Sequence, residues 1–419
     1  MQIEILTIGD EILSGNIVDT NTAYLSDKLW LNGFEVTYHT AVRDDADKIK
    51  EALLIASNRA DLVIVTGGLG PTGDDFTIEV AAKTFRKKLV VDQNYLHHLE
   101  NLFKQWGRPL KDNNKKQATI PAGAKTFSNR VGTAPGIAVK YKRAQFYFLP
   151  GVPREMKQLF EDFIFPEILS LRKIPLHFES KMLRCFGSAE SELDFAIKDL
   201  YINRTHIENA RIGFRAHFPD TFIKISTWHK NKADAHKLLK NVETKIRERV
   251  EKYIYGEGDD TLESIVGQLL LKSKKKLATA ESCTGGLIAN RITNVPGASA
   301  YFPNGVVTYS NEAKSAVLGV SADTLKKYGA VSSPCAIEMA QGIRRISKAD
   351  YGIAVTGIAG PDGGTTAKPV GTVHIALASQ AGNWEKKYLL PRNREWFKQM
   401  VSSIALDRLR RELLGLTSI

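Results

Sequence analysis

The sequence contains no apolar run of the roughly 18 residues that a membrane-spanning helix needs, which argues against a helical membrane protein. Cysteine is scarce. Cys185, Cys283 and Cys335 are the only three in 419 residues, too few for a disulfide framework, and the expectation is a reducing, cytoplasmic compartment. The opening MQIEILTIGDEILSG carries acids and a glycine loop where a secretory signal would have a basic head and a small-residue cleavage site. Histidine is sparse too: of nine, His374 alone lies beyond residue 258, so a Cys–His pair in that last third would have to use it. There is no low-complexity tract or repeated period. The GxxxxGK[ST] of a P-loop does not occur at the glycine loops described below.

What is present is an ordinary globular balance, 43% hydrophobic and 25% charged, in a chain long enough for two or three domains. The net charge of +12 could favour nucleic acid. The basic residues are spread out, however, and short runs such as KSKKK at 272–276 lead directly into apolar segments. A solvated surface that attracts small anions is the preferred reading, with nucleic acid the lesser one.

Strand-like runs alternate with helical patterns from the start: IEILTI (3–8), a helix from about Thr20, FEVTYH (34–39), a helix near 45–59, and DLVIVTGG (61–68). That alternation predicts α/β domains with largely parallel sheets covered on both faces, and such sheets bind ligands beyond the carboxyl ends of their strands. We expect a first domain over 1–170, closing near Pro166 and Pro175. A small α+β unit should follow over 176–255, and a third domain over 258–419 that ends in a helix near 393–413.

In the first domain, VIVTGGLGPTGDD (63–75) sets Gly67, Gly68, Gly70 and Gly73 directly after a buried strand. Glycines allow tight turns and close backbone approach, and successive N–H groups can cradle phosphate. Asp74 and Asp75 are poor direct phosphate ligands, but one could bind a divalent cation or orient water; alternatively, one caps the helix that follows. The loop TIGDEILSG (7–15) would add Asp10 and Glu11 to the same crevice, and Arg154 in LPGVPREM is a candidate phosphate contact, or simply a surface ion pair.

In the third domain, LATAESCTGGLIA (277–289) reads as strand, polar turn and helix, placing Ser282, Cys283 and Thr284 where free N–H groups can hold a phosphate or an oxyanion. NGVVTYSNEAK (304–314) then supplies Tyr309 and Lys314, with Asn311 as the expected helix cap. A buried lysine near a serine can become neutral and accept its proton. Lys314 could instead hold a phosphate or pair with Glu281 or Glu312. Cys283 is the intrinsically better nucleophile, and serine is ranked only narrowly ahead of it. A second glycine loop, in YGIAVTGIAGPDGGTTAKPVGTVHIALA (351–378), offers Thr356, Gly357, Gly360 and Asp362 around a ribose or phosphate.

GDEILSG, TGGLGPTGDDFT and LPGVPREM together resemble the amino-terminal domain of the CinA family, related to molybdopterin-binding folds. AESCTGG, VPGASAYFPNGVVTYSNEAK, AVTGIAGPDGG and KPVGTV resemble the family's carboxy-terminal domain. The middle unit resembles its KH-like connector, with GSAE at 187–190 where an RNA-binding KH domain has its GXXG clamp, which lowers the expectation of RNA binding. For the first domain the resemblance implies cleavage of ADP-ribose to AMP and ribose 5-phosphate. That reaction would depend on a divalent metal ion (Mg, Mn or Co), with Asp10, Asp74 and Asp75 as the acidic centre and Gly67, Gly68 and Gly70 around phosphate. The chain departs from the family pattern at Phe76 and Ile78. For the third domain it implies deamidation of nicotinamide mononucleotide to nicotinic acid mononucleotide and ammonia, without a cofactor. Ser282 would be the nucleophile, Lys314 its base and Tyr309 a helper, with Thr284, Gly285 and Gly286 at the oxyanion or phosphate site. A homodimer is also implied. The alternatives are a deamidase with an inactive, nucleotide-binding first domain, or a nucleic-acid-associated competence module.

Overall fold

The computed structural model describes residues 1–171, 176–201 and 207–416; Pro175, read above as boundary punctuation, lies outside them. The chain forms two compact units, one of residues 1–180 with 226–237 and the other of residues 181–225 with 238–419.

In the first unit the strands are β1 (Ile3–Ile8), β2 (Val36–Val42), β3 (Leu62–Thr66), the short β4 (Leu89–Val91) and β5 (Thr119–Pro121), then β6 (Lys125–Phe127), β7 (Gly136–Tyr141) and β8 (Ala144–Leu149). The main sheet has the order β2-β1-β3-β8-β7-β6, while β4 and β5 pair separately. β2, β1, β3 and β8 are mutually parallel, as the alternation predicts, and β7 and β6 extend the sheet antiparallel. Every residue of β1 and β3 is buried. Leu6, Ile8, Val63 and Val65 pack against helices Ala46–Arg59 and Thr77–Thr84 on one face. Ile3, Ile5, Leu62 and Ile64 meet helix Thr20–Leu31 and the helical stretch 153–170 on the other. This is the three-layer arrangement that continuous apolar strands require. The loops after β1, β3 and β8 all leave from the carboxyl ends of parallel strands, and the first site lies there.

Further along the chain come β9 (His177–Cys185), β10 (Ala210–His217), β11 (Asp220–His229) and β12 (Ile254–Glu257), in a sheet of order β10-β11-β9-β12. Together with helices Glu190–Ile197 and Lys232–Val250 they make the small α+β domain. The carboxy-terminal sheet has the order β14-β13-β15-β16-β17, built from β13 (Leu277–Glu281), β14 (Asn304–Val307), β15 (Tyr351–Gly357), β16 (Thr372–Ser379) and β17 (Gly382–Leu389). Here too the parallel trio β14, β13 and β15 is extended by antiparallel strands. One face carries Leu277, Ile353, Val355, Val373 and Ile375 against helices Leu262–Ser273, Leu287–Thr293 and Arg394–Leu413. The other is lined by alanines, Ala278, Ala280, Ala354, Ala376 and Ala378, which lets helix Ser333–Ile346 pack close. The approach is tight enough that a Cβ on Gly352 would stand 2.3 Å from the Ala340 carbonyl oxygen.

Candidate functional site

In the first unit the loops after β1, β3 and β8 enclose a cavity of about 410 Å³. Gly67, Gly68 and Gly70 line it, with Asp74, Asp75, Glu11, Asp44 and Glu155 as its acids. Gly67 takes φ +105°, and a Cβ there would stand 2.0 Å from the Ile8 carbonyl oxygen, so the two loops touch through bare backbone. Gly70 leaves room for a carboxylate: a Cβ would lie 2.3 Å from Asp75 Oδ2. That carboxylate accepts from the Thr72 N–H at 2.9 Å and the Thr72 hydroxyl at 2.5 Å, and the same hydroxyl bonds Asp74. Neither aspartate caps helix Thr77–Thr84, whose first flanking residue is Phe76 without a side-chain cap.

Two sequence-based assignments change here. Asp10 does not line the cavity; its carboxylate is held by Arg43 at 2.9 Å in an exposed ion pair. A one-turn helix, Asp10–Leu13, starts at this point, and one step along it turns neighbouring side chains about 100° apart, so Glu11 takes the cavity position instead. Arg154 is exposed and absent from the lining, while its neighbour Glu155 is present and half-buried, its carboxyl raised by burial. Asp44 is raised as well, first by burial and then by the negative charges of Glu11, Asp10 and Asp74. Among the described residues no three His, Cys, Asp or Glu side chains converge as a ready-made metal cluster. Gln117, unremarked in the sequence, is buried in the wall; its amide donates to the Leu69 carbonyl at 3.1 Å and its own oxygen has no partner.

The second site is built where β13 ends. Ser282 is buried at 8% exposure, and its N–H donates to the Val355 carbonyl, tying it to β15. Lys314, on helix Asn311–Leu318, is 1% exposed. Its Nζ stands 3.1 Å from Ser282 Oγ, 2.8 Å from the Thr308 carbonyl oxygen and 3.2 Å from that of Tyr309. No carboxylate among the described residues pairs with it, and burial holds its pKa below the ordinary lysine value. The helix cap is Ser310, one residue earlier than Asn311, its hydroxyl accepting from the Ala313 N–H.

Glu281 resolves a conflict at the turn. Fully buried, it accepts from the N–H groups of Ile288 at 3.1 Å and Ala289 at 2.8 Å, so the start of helix Leu287–Thr293 is already occupied by a carboxylate. The Gly285 N–H returns to the Ser282 carbonyl. Gly285 and Gly286 both have positive φ, 62° and 92°, which exposes the turn between serine and helix. Thr284 is buried with an unpartnered hydroxyl. Cys283 is buried and its thiol is pushed up to about 12, which leaves it a poor nucleophile beside Ser282.

Tyr309 contributes its backbone to Lys314 and sends its ring outward, 63% exposed. Its hydroxyl accepts from the Arg394 guanidinium at 3.1 Å, and that guanidinium also donates to the Gly360 carbonyl at 3.0 Å. Arg394 therefore straps the Tyr309 segment to the glycine loop after β15, and Lys398 one turn later lies beside Gly285. Neither cation stands out in the sequence, where both sit in an ordinary charged helix. Thr356 is buried and spends its hydroxyl on the Ala330 carbonyl at 2.8 Å; Gly357 packs on β16, and Asp362 is exposed. His374 pairs with Glu385 at 2.7 Å within the sheet, and Glu385 also accepts from Ser333.

Family models for a probable molybdopterin binding domain, a damage-inducible protein CinA KH domain and a CinA C-terminal domain match residues 4–170, 180–256 and 259–413. A putative competence-damage inducible protein of Clostridium novyi is 43% identical over 414 residues, 99% of this chain and 99% of its own. A CinA-like protein of Dictyoglomus thermophilum is 42% identical over 416 residues, 99% of this chain and 100% of its own. The chain belongs to the CinA family. Among solved structures, a CinA protein of unknown function from Thermoplasma acidophilum is 36% identical, covering 39% of this chain and 96% of its own, with a TM-score of 0.37. In this CinA-family chain the serine–lysine pair falls within the C-terminal match and the acid-rimmed cavity within the molybdopterin-binding match.

Proposed function

We propose that the chain is a hydrolase with two sites: a nicotinamide mononucleotide deamidase in its carboxy-terminal domain and an ADP-ribose pyrophosphatase in its amino-terminal domain. The observation that carries the first is the set of three partners around Lys314 Nζ. A neutral amine has two hydrogens and one lone pair. The Thr308 and Tyr309 carbonyls take the hydrogens, which leaves the lone pair to accept from Ser282 Oγ–H across 3.1 Å. Burial favours that neutral form, as a general base requires.

In the proposed reaction Ser282 Oγ attacks the carboxamide carbon as its proton passes to Lys314 Nζ. The lysine then protonates the departing nitrogen, and ammonia leaves. Water, deprotonated by the same amine, attacks the acyl-serine and releases the carboxylate. The N–H groups of Thr284 and Gly286, which pair with no backbone carbonyl in the turn, are the donors available to the tetrahedral oxygen; one such bond contributes about 3 kcal/mol. Arg394 and Lys398 supply positive charge for the substrate phosphate. Ser282→Ala is expected to cut ammonia release at least a hundredfold, with substrate binding kept. Full turnover in that variant removes the assignment.

For the first domain the acids pose the physical question, since a cavity rimmed by Asp74, Asp75, Glu11 and Asp44 repels a pyrophosphate. A divalent cation between acids and phosphates reverses that, and such ions are commonly held by one or two carboxylates with phosphate oxygens completing the shell. Asp75 and Asp74, which line the cavity, would hold it, whereas Asp10 pairs with Arg43 outside the lining. The ion would offset charge on the phosphoryl group and lower the pKa of a bound water. The chain's own part is to seat the phosphates on the Gly67–Gly70 backbone and to fix the Asp75 carboxylate through Thr72. Asp75→Ala is expected to abolish AMP formation from ADP-ribose; unchanged turnover removes Asp75 from the centre.

A further inference from the structure

A cavity of the second unit lies away from both sites. It holds about 600 Å³, within the range of small-molecule pockets. One wall is β17, the edge strand of the carboxy-terminal sheet, whose alternate residues Trp384, Lys386 and Tyr388 all line it. Helix Arg394–Leu413 adds Met400, Ile404 and Arg408 at helical spacing, and the small domain closes it with Phe186, Tyr253 and the turn 187–189.

Its charges do not cancel. Of the two acids, Asp407 is consumed by Arg410 at 2.8 Å and Arg411 at 2.6 Å, and Glu192 caps its own helix through the Ser188 hydroxyl and the Ala189 N–H. Arg408 lies against the Trp384 ring at 4.8 Å and is largely buried; Glu412 takes one end of its guanidinium at 2.5 Å, and its Nε has no partner among the described residues. Lys386 stands exposed at the rim with no carboxylate in reach among the described residues. The cavity thus presents aromatic rings, a guanidinium that it shares with Glu412, and the Lys386 ammonium over the Tyr388 ring with no carboxylate to pair it.

We infer that this cavity binds an aromatic phosphate monoester of mononucleotide size, with the ring stacked in the Trp384–Tyr388–Tyr253 lining and the phosphate held between Arg408 and Lys386. Stacking on an aromatic side chain and a charge-assisted bond to arginine are the two interactions that the lining offers and that neither a neutral apolar ligand nor inorganic phosphate could use together. This site is independent of the two proposed reactions.

The test is calorimetric titration of the full chain with AMP, adenosine and inorganic phosphate, each against Trp384→Ala and Lys386→Glu. AMP is also a product of the proposed first-domain reaction, so only the binding lost in these two variants is assigned to the cavity. Both variants are expected to weaken that AMP binding about tenfold or more. Adenosine should bind more weakly than AMP and be indifferent to Lys386→Glu, phosphate should bind least, and ammonia release should stay within twofold of the parent chain. Because Lys386 is exposed, its variant keeps the test open if Trp384→Ala fails to fold. AMP affinity equal in the parent and both variants overturns the proposal. So does a Lys386→Glu variant that loses self-association while keeping its AMP affinity, which would give the cavity to a second copy of the chain.

Discussion

At the scale of single residues, Lys314 can act only if it gives up its proton in a medium that has little use for the charge. Burial lowers its pKa, so kcat/KM for ammonia release is expected to rise with pH and level off below the roughly 10.4 of a free lysine. A flat profile across the alkaline limb would refute the amine as base. Lys314→Arg keeps a cation but has no lone pair at any accessible pH, and should be as inactive as Ser282→Ala. Cys283 makes the complementary prediction. With its thiol pushed up to about 12, Cys283→Ala should retain activity within a few-fold, and iodoacetamide at pH 8 should leave the parent chain unaffected. The serine and lysine were legible in the sequence because each lies in an uncommon motif, the serine directly after a strand and the lysine in the first turn of the helix that follows the next one. Their surroundings were not. Arg394 reaches Tyr309 and Gly360 only through the tertiary fold, and Asp10 lost its place to Glu11 because a one-turn helix sets the phase there.

Between residue and domain, the turns decide which groups remain available. Glu281 reads in the sequence as a possible partner for Lys314, yet it takes the first N–H groups of helix Leu287–Thr293. Glu281→Gln should therefore lower stability by about 1–3 kcal/mol, measured by denaturant unfolding, through the loss of a charged acceptor in a buried site. An unchanged midpoint would refute the capping role. Two glycines of the first loop should behave differently from each other. Gly67→Ala meets backbone that cannot move aside, and is expected to destabilise the whole unit. Gly70→Ala meets only the Asp75 carboxylate, and should fold while losing AMP formation. The alternation of strands and helices gave the architecture away, whereas β17 passed unnoticed. GNWEKKYL is too polar to read as a core strand, and it forms one because β16 offers an open edge and Trp384 and Tyr388 have a helix to cover them.

For the whole molecule, the proposed chemistry divides cleanly by metal. Chelation with EDTA should stop AMP formation from ADP-ribose and leave ammonia release from nicotinamide mononucleotide intact; loss of both would contradict a metal-free serine–lysine site. The net charge of +12 comes from 58 lysines and arginines against 46 aspartates and glutamates.

The alanine-lined face of the carboxy-terminal sheet bears on the reaction from a distance. Helix Ser333–Ile346 rests on it and carries the buried Cys335, near enough to Lys314 for the two groups to couple electrostatically. How dry that amine stays is thus a matter of helix height above the strands, set methyl by methyl. Enlarging Ala354 to valine would jack the helix upward, admit solvent behind the lysine and shift the whole rate profile toward higher pH, although the altered side chain never meets the substrate.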